Sequence, residues 1–150
     1  MDLVAEPYSA PTGDLSIHLI QEPIADFPPE QFLYKFDDSL LRNFYNQVLS
    51  TTSDFDCLFI NQSGVITEGT RSNFYIELDG RLITSPVSAG LLPGTYRDLL
   101  IQEGCLVQSI TLEMFKKSNR IFISNALIGK RLAVIGENSN GFAGIRNHLL

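Results

Sequence analysis

The sequence predicts a single α+β domain of mixed strands with a few flanking helices, and three observations carry that prediction. Apolar runs of strand length, such as Asp56–Ile60, Asn73–Leu78 and Ile121–Ser124, recur through the chain. Asp79-Gly80 stands between two such runs, where a tight hairpin needs residues that accept positive φ. Helical spacing is confined to a few short segments, the clearest being Asp37–Leu49, where Leu40, Leu41, Phe44, Val48 and Leu49 recur at three- and four-residue intervals.

Taken in order, residues 1–14 hold Pro7, Pro11 and Gly13 among few apolar positions and read as an arm or truncated linker. The domain takes residues 15–150. Ser16–Gln21 reads as a short strand, and Glu22–Glu30, with Pro23, Pro28 and Pro29, as an extended connection. The helix over 37–49 has Asp37 or Asp38 to cap it. Asp56–Ile60 follows as a buried strand, Asn61–Gly64 as a turn, and Val65–Glu68 and Asn73–Leu78 as two strands, with Arg81–Thr84 returning antiparallel. Pro93-Gly94 opens a helix running to Gln102 and closed by Gly104, after which Cys105–Ile110 reads as a strand. Leu112–Lys117 is a short helix, Ile121–Ser124 and Leu132–Ile135 are apolar strands, and Gly141–Leu150 is a terminal helix.

Composition narrows the function. A chain of 150 residues with 44% apolar and 19% charged residues can bury a real core. Its net charge of −6, with basic residues spread rather than striped, argues against a nucleic-acid partner. The acidic start lacks the basic and apolar regions of a secretory signal, and no apolar run approaches membrane-spanning length, so a cytoplasmic protein is expected. Cys57 and Cys105 lie in apolar surroundings and read as reduced, buried thiols; His18 and His148 have no neighbouring ligand, so no metal is expected.

The chemistry concentrates in three places. In Ile66-Thr67-Glu68-Gly69-Thr70-Arg71-Ser72-Asn73, a carboxylate ends a strand, a glycine allows a tight turn, and short polar side chains open the next strand. In Leu92-Pro93-Gly94-Thr95-Tyr96-Arg97, a glycine lets backbone N–H groups of a first helical turn converge on an anion, aided by the helix dipole. Lys35, just before a helix and 33 residues upstream of Glu68, is a lysine that burial or a neighbouring cation would turn into a nucleophile and base.

The order and spacing of these motifs, with Phe122-Ile123-Ser124-Asn125-Ala126-Leu127 after them, resemble the class IV aminotransferases: branched-chain and D-amino acid aminotransferases and aminodeoxychorismate lyases. The resemblance runs from about Ser16 onward and corresponds to the large domain of these fold type IV, D-amino acid aminotransferase-like enzymes, without their small N-terminal domain. It implies pyridoxal 5′-phosphate as cofactor. On that resemblance Lys35 forms the Schiff base and is the catalytic residue, and Glu68 keeps the ring nitrogen protonated. Ser72 lines the cofactor site, Leu92 packs on the ring, and Asn73 is a structural brace. Gly94, Thr95 and Tyr96, with Asn125 and Ala126, hold the phosphate. Asn125-Ala126-Leu127 looks more like the lyase branch than the aminotransferases, whereas Phe36-Asp37-Asp38-Ser39 departs from the lyase pattern after the lysine.

In complete members of the family the small domain supplies an arginine to the phosphate and much of the substrate pocket. A small-molecule amino substrate is therefore implied, together with a homodimer or a partner chain that supplies the missing part. Two function classes follow: a working transaminase or lyase, or a truncated, non-catalytic homologue or interaction domain that keeps the fold.

Overall fold

A computed structural model of the chain describes residues 7–20, 22–33 and 39–136. In these the strands are β1 (Leu15–Leu19), β2 (Asp56–Ile60), β3 (Val65–Gly69), β4 (Asn73–Leu78), β5 (Arg81–Thr84), β6 (Leu106–Val107), β7 (Ile110–Thr111), β8 (Arg120–Asn125) and β9 (Gly129–Ile135). The helices are α1 (Pro29–Leu33), α2 (Leu40–Leu49), α3 (Thr95–Gln102) and α4 (Leu112–Lys117), with a 3₁₀ turn at Val87–Ala89. The expected α+β class is what forms.

The nine strands make one mixed sheet in the order β6-β5-β4-β8-β9-β1-β2-β3-β7. A further pairing of β3 with β4 closes six of them into a ring. That closure is made at one residue pair, Glu68 opposite Asn73. The two ends of the most informative sequence motif are thus brought face to face at the seam.

Side-chain alternation explains the packing. Leu15, Ile17 and Leu19 of β1 point inward and meet Leu58, Ile60, Ile66, Phe74, Ile76, Ile121 and Ile123 in the main core. β2 is buried at every position because both its faces are covered. Leu58 and Ile60 face the ring interior, whereas Cys57 and Phe59 face Leu41 and Tyr45 of α2. In the same way Tyr75 and Phe122 turn outward to meet Leu100 of α3 and Cys105. Cys57 and Cys105 are free and buried, as expected, and burial pushes their thiols up to about 12 and about 11. Among the described residues no helix is long and apolar enough to cross a membrane.

Three local expectations need correction. The proline-rich connection contains a helix, α1, because Pro29 occupies the first helical position, where its missing N–H leaves no bond unmade. The cap of α2 is Ser39, whose Oγ accepts the Arg42 N–H at 3.0 Å; Asp37 and Asp38 lie outside the described residues. Cys105–Ile110 is not one strand. Leu106–Val107 runs parallel to β5, and Ile110–Thr111 pairs with β3 at the opposite end of the sheet order. Helix Gly141–Leu150 lies outside the described residues.

Candidate active site

Glu68 is the centre of the arrangement. It lies near the end of β3 on the face turned to α2 and is buried, with its Oε1 accepting the Tyr45 O–H at 3.0 Å and its Oε2 the Leu92 N–H at 2.9 Å. Burial pushes its carboxyl up to about 7, against the downward pull of those two hydrogen bonds and of the Arg42 cation. No Lys, Arg or His among the described residues lies within ion-pair distance of it. Among the described residues it is a buried acid with no cation paired to it.

Tyr45 is held for its task by stacking on Phe59, centroids 4.6 Å apart and planes 9° from parallel. Its hydroxyl is raised well above the usual tyrosine range, first by burial and then by the Glu68 charge, so it remains a donor.

The turn after Glu68 is pinned from below by Asp56, a buried carboxylate at the start of β2. Asp56 Oδ1 accepts from the Cys57 N–H and Thr70 N–H, each at 2.7 Å, and from the Thr70 hydroxyl at 2.6 Å. Its Oδ2 accepts the Ser72 hydroxyl at 2.6 Å. Burial raises the Asp56 carboxyl, and these bonds pull it back. Gly69 is required here because a Cβ would overlap the Asp56 carboxylate.

Asn73, across the seam, donates its Nδ2–H to the Leu92 carbonyl at 2.8 Å. The segment before α3 is therefore held twice, through the Leu92 N–H on Glu68 and the Leu92 C=O on Asn73. Gly94 is the N-cap of α3 and brings no side chain to the cap; a Cβ there would overlap Asn73 Oδ1. No described residue accepts from the first-turn N–H groups of Thr95 and Tyr96. Arg97, buried beneath, ties the helix to the Ser85 carbonyl at 3.0 Å.

Asn125 shapes the β8–β9 turn: its Oδ1 accepts from the Leu127 N–H at 2.9 Å and the Ile128 N–H at 3.0 Å, and its Nδ2–H donates to the Arg71 carbonyl at 3.0 Å. Ala126 is exposed in the same turn. Ser124 Oγ pairs with the Tyr75 hydroxyl at 2.7 Å.

The structure therefore draws Glu68, Leu92, Gly94, Thr95 and Tyr96 together at one end of the ring, and links Asn125 and Ala126 to the same loop through Arg71. Ser72 turns its hydroxyl to Asp56. Lys35 lies outside the described residues, between α1 and the Ser39 cap. Sequence reasoning missed Tyr45 and Asp56. Tyr45 follows Leu41 by one helical turn and so reads as core, and only an acid abutting an unbroken apolar strand could have flagged Asp56.

A profile of the class IV amino-transferases matches residues 6–132. The chain belongs to the class IV amino-transferase family. Among solved structures it is similar to a candidate 4-amino-4-deoxychorismate lyase of Legionella pneumophila subsp. pneumophila, with 26% identity and TM-score 0.73, over 87% of this chain and 51% of that one. It is also similar to a candidate amino-acid aminotransferase of Mesorhizobium loti, with 24% identity and TM-score 0.69, over 87% of this chain and 65% of that one. The branched-chain amino acid aminotransferase of Escherichia coli shares 17% identity and TM-score 0.64, over 83% of this chain and 44% of that one. The last two likenesses are of fold alone. The chain spans about half the length of the Legionella protein and 65% of the Mesorhizobium one. No curated protein matches it.

Class IV enzymes use pyridoxal 5′-phosphate. The residues described fit that group on two counts: a buried carboxylate with no described cation paired to it suits a protonated ring nitrogen, and a helix start whose N-cap is a glycine without a side-chain cap suits a phosphate.

Proposed function

We propose that this chain carries the cofactor-holding half of a pyridoxal-phosphate-dependent enzyme that acts on an amino-group substrate. The observation that carries the reading is Glu68, buried, doubly hydrogen-bonded and without an ion-pair partner among the described residues, at the ring seam beside the start of α3. When bound, pyridoxal phosphate supplies an electron sink for charge developing at the substrate Cα.

The chain's residues do the rest. Glu68 holds the ring-nitrogen proton, with Tyr45 and the Leu92 N–H fixing the carboxylate in place. The N–H groups of Thr95 and Tyr96, opened by Gly94, take the phosphate, with Asn125 and Ala126 on its other side, and Leu92 packs on the ring. Lys35 supplies the amine that attaches the cofactor and the base that moves the substrate Cα proton. Ser72 serves this reading as a brace for the Glu68 turn through Asp56.

Transamination and elimination of pyruvate from an aminodeoxychorismate-type substrate are both open to such a site. Asn125-Ala126-Leu127 and the likeness to the Legionella protein favour the second. A homodimer or a partner chain completing the site belongs to the same proposal, supported by exposed Leu33 and Leu40 on either side of residues 34–38. A cytoplasmic location is supported by the two free thiols.

The test is an absorbance titration with pyridoxal phosphate, followed by borohydride trapping and peptide mapping. A saturable band trapped on Lys35, and lost in Lys35→Ala, is the expected result. Pyruvate release without an oxo-acid acceptor would then identify the lyase, and oxo-acid-dependent turnover the transaminase. Labelling scattered over surface lysines would overturn the reading in favour of a non-catalytic homologue.

A further inference from the structure

A cleft of about 390 Å³ lies between α1 with the segment that leads into it, the β2–β3 turn, and the 3₁₀ turn at Val87–Ala89. That volume suits a small molecule. None of Glu68, Tyr45, Asp56, Leu92, Gly94 and Thr95 lines it, so it is not the site described above.

Its three walls come from distant stretches of the chain and are tied to one another. Gln62 Nε2–H donates to the Ile24 carbonyl at 2.8 Å, and the Ile24 N–H to the Ile60 carbonyl at 2.8 Å. Asn61 Nδ2–H donates to the Ala89 carbonyl at 3.0 Å, while its Oδ1 accepts from the Ser63 and Val65 N–H groups at 2.9 and 3.0 Å. A ligand therefore meets a formed site and has little chain left to order.

The lining sets the chemistry of what can bind. Phe27 and Phe32 form an edge-to-face pair, centroids 6.4 Å apart and planes at 89°. Gly90 takes a φ of +97°, and a Cβ on it would rest 3.4–3.7 Å from atoms of the Phe32 ring; glycine leaves that side of the ring clear. Among the described residues of the lining, the one charged side chain is Asp26, exposed at the rim. Residues 22–33 carry Glu22, Asp26 and Glu30 and no Lys, Arg or His, and residues 61–64 and 86–90 carry no charge at all. An aromatic face and a carboxylate both attract positive charge, so the two features of the cleft select for the same sign.

We propose that this cleft binds a small organic cation, an ammonium carried on a compact apolar body, with the body on Phe27 and Phe32 and the ammonium at Asp26. Its position links it to the rest of the molecule. Gly90 leads through fully buried Leu91 to Leu92, whose N–H and C=O are held by Glu68 and Asn73, so one wall of the cleft and the seat of the Glu68 carboxylate are neighbours in the chain. Cation binding here does not depend on pyridoxal phosphate at Glu68 and stands or falls separately from it.

The experiment titrates the full chain with 2-phenylethylammonium and with its neutral isostere 2-phenylethanol, following backbone amide resonances to obtain both affinity and location. The proteins are the parent, Asp26→Asn, Ser88→Trp to fill the cleft from its exposed rim, and Glu113→Gln as an exposed acid elsewhere. Saturable shifts should centre on Ile24, Ala89 and Gly90. Because Asp26 is exposed, its loss should weaken the ammonium about threefold or more, and the alcohol should bind the parent about threefold more weakly than the ammonium. Glu113→Gln should leave both affinities unchanged, and Ser88→Trp should abolish both. Equal ammonium affinity in parent and Asp26→Asn, equal losses in Asp26→Asn and Glu113→Gln, or no preference over the alcohol would overturn the proposal. So would shifts centred on Leu92 and Thr95, which would place the amine at the Glu68 site instead. If Ser88→Trp does not fold, Asp26→Asn and the alcohol still decide. Absence of a pyridoxal phosphate band in the parent, with the ammonium pattern intact, would sink the cofactor reading and leave this site standing.

Discussion

Replacing Glu68 by glutamine tests the centre of the site in the cofactor-free chain. Burial moves this carboxyl from its ordinary 4.5 to about 7, so once ionised it withholds about 3 kcal/mol from the folded state. The sign follows from proton counting. Below pH 4.5 the carboxyl is protonated in both states and folding loses nothing. As pH rises through about 7, the folded chain retains a proton that the unfolded chain has shed, so stability falls. Glutamine does not titrate, and its amide can still accept from the Leu92 N–H. Between pH 5 and pH 8, Glu68→Gln should therefore gain about 2–3 kcal/mol on the parent, whatever its stability at pH 5. Other titrating groups, Asp56 and Tyr45 among them, are common to both proteins and cancel in the comparison. Urea unfolding of the two proteins at both pH values measures the gap. Parallel pH profiles would refute the argument, because they would mean that Glu68 is not titrating in a desolvated setting. Pyridoxal phosphate should flatten the parent's profile by supplying a cation for Glu68 to pair with.

Three further outcomes follow from the same geometry. Asp56→Ala removes the acceptor of three hydrogen bonds of 2.6–2.7 Å to Cys57 and Thr70 and one of 2.6 Å to Ser72, and should cost about 3 kcal/mol in chemical denaturation; a loss under about 1 kcal/mol would deny it the bracing role. Gly94→Ala drives a methyl into Asn73 Oδ1 and should loosen Asn73 from Leu92 at about 1–2 kcal/mol, with a smaller penalty in an Asn73→Ala background; simple additivity would disprove the contact. Tyr45→Phe keeps the stack on Phe59 but removes a donor that holds the Glu68 carboxyl down, so the Glu68 midpoint, read from its carboxyl carbon shift, should rise above about 7; an unmoved midpoint would remove Tyr45 from the site.

The sequence by itself determined the α+β class, a short strand at β1, the helix following Lys35, and the two motifs around Glu68 and Gly94. These depend on patterns within a few residues, where strand and helix periods and glycine's freedom act locally. The cofactor-binding assignment came from the order of those motifs along the chain. Only the tertiary structure decided what the motifs touch. Tyr45 and Leu92 reach Glu68 from 23 and 24 residues away, and no local period relates them. Asp56 gives no sign in the sequence of how many donors converge on it, because they arrive from a turn 14 to 16 residues later. Cys105–Ile110 reads as one apolar run, yet the ring leaves its two halves on opposite edges of the sheet, since hydrogen bonding to β5 and to β3 cannot be satisfied in one place. Long-range contacts of this kind are fixed by closing the sheet at Glu68 and Asn73, a condition on the whole chain rather than on any segment of it.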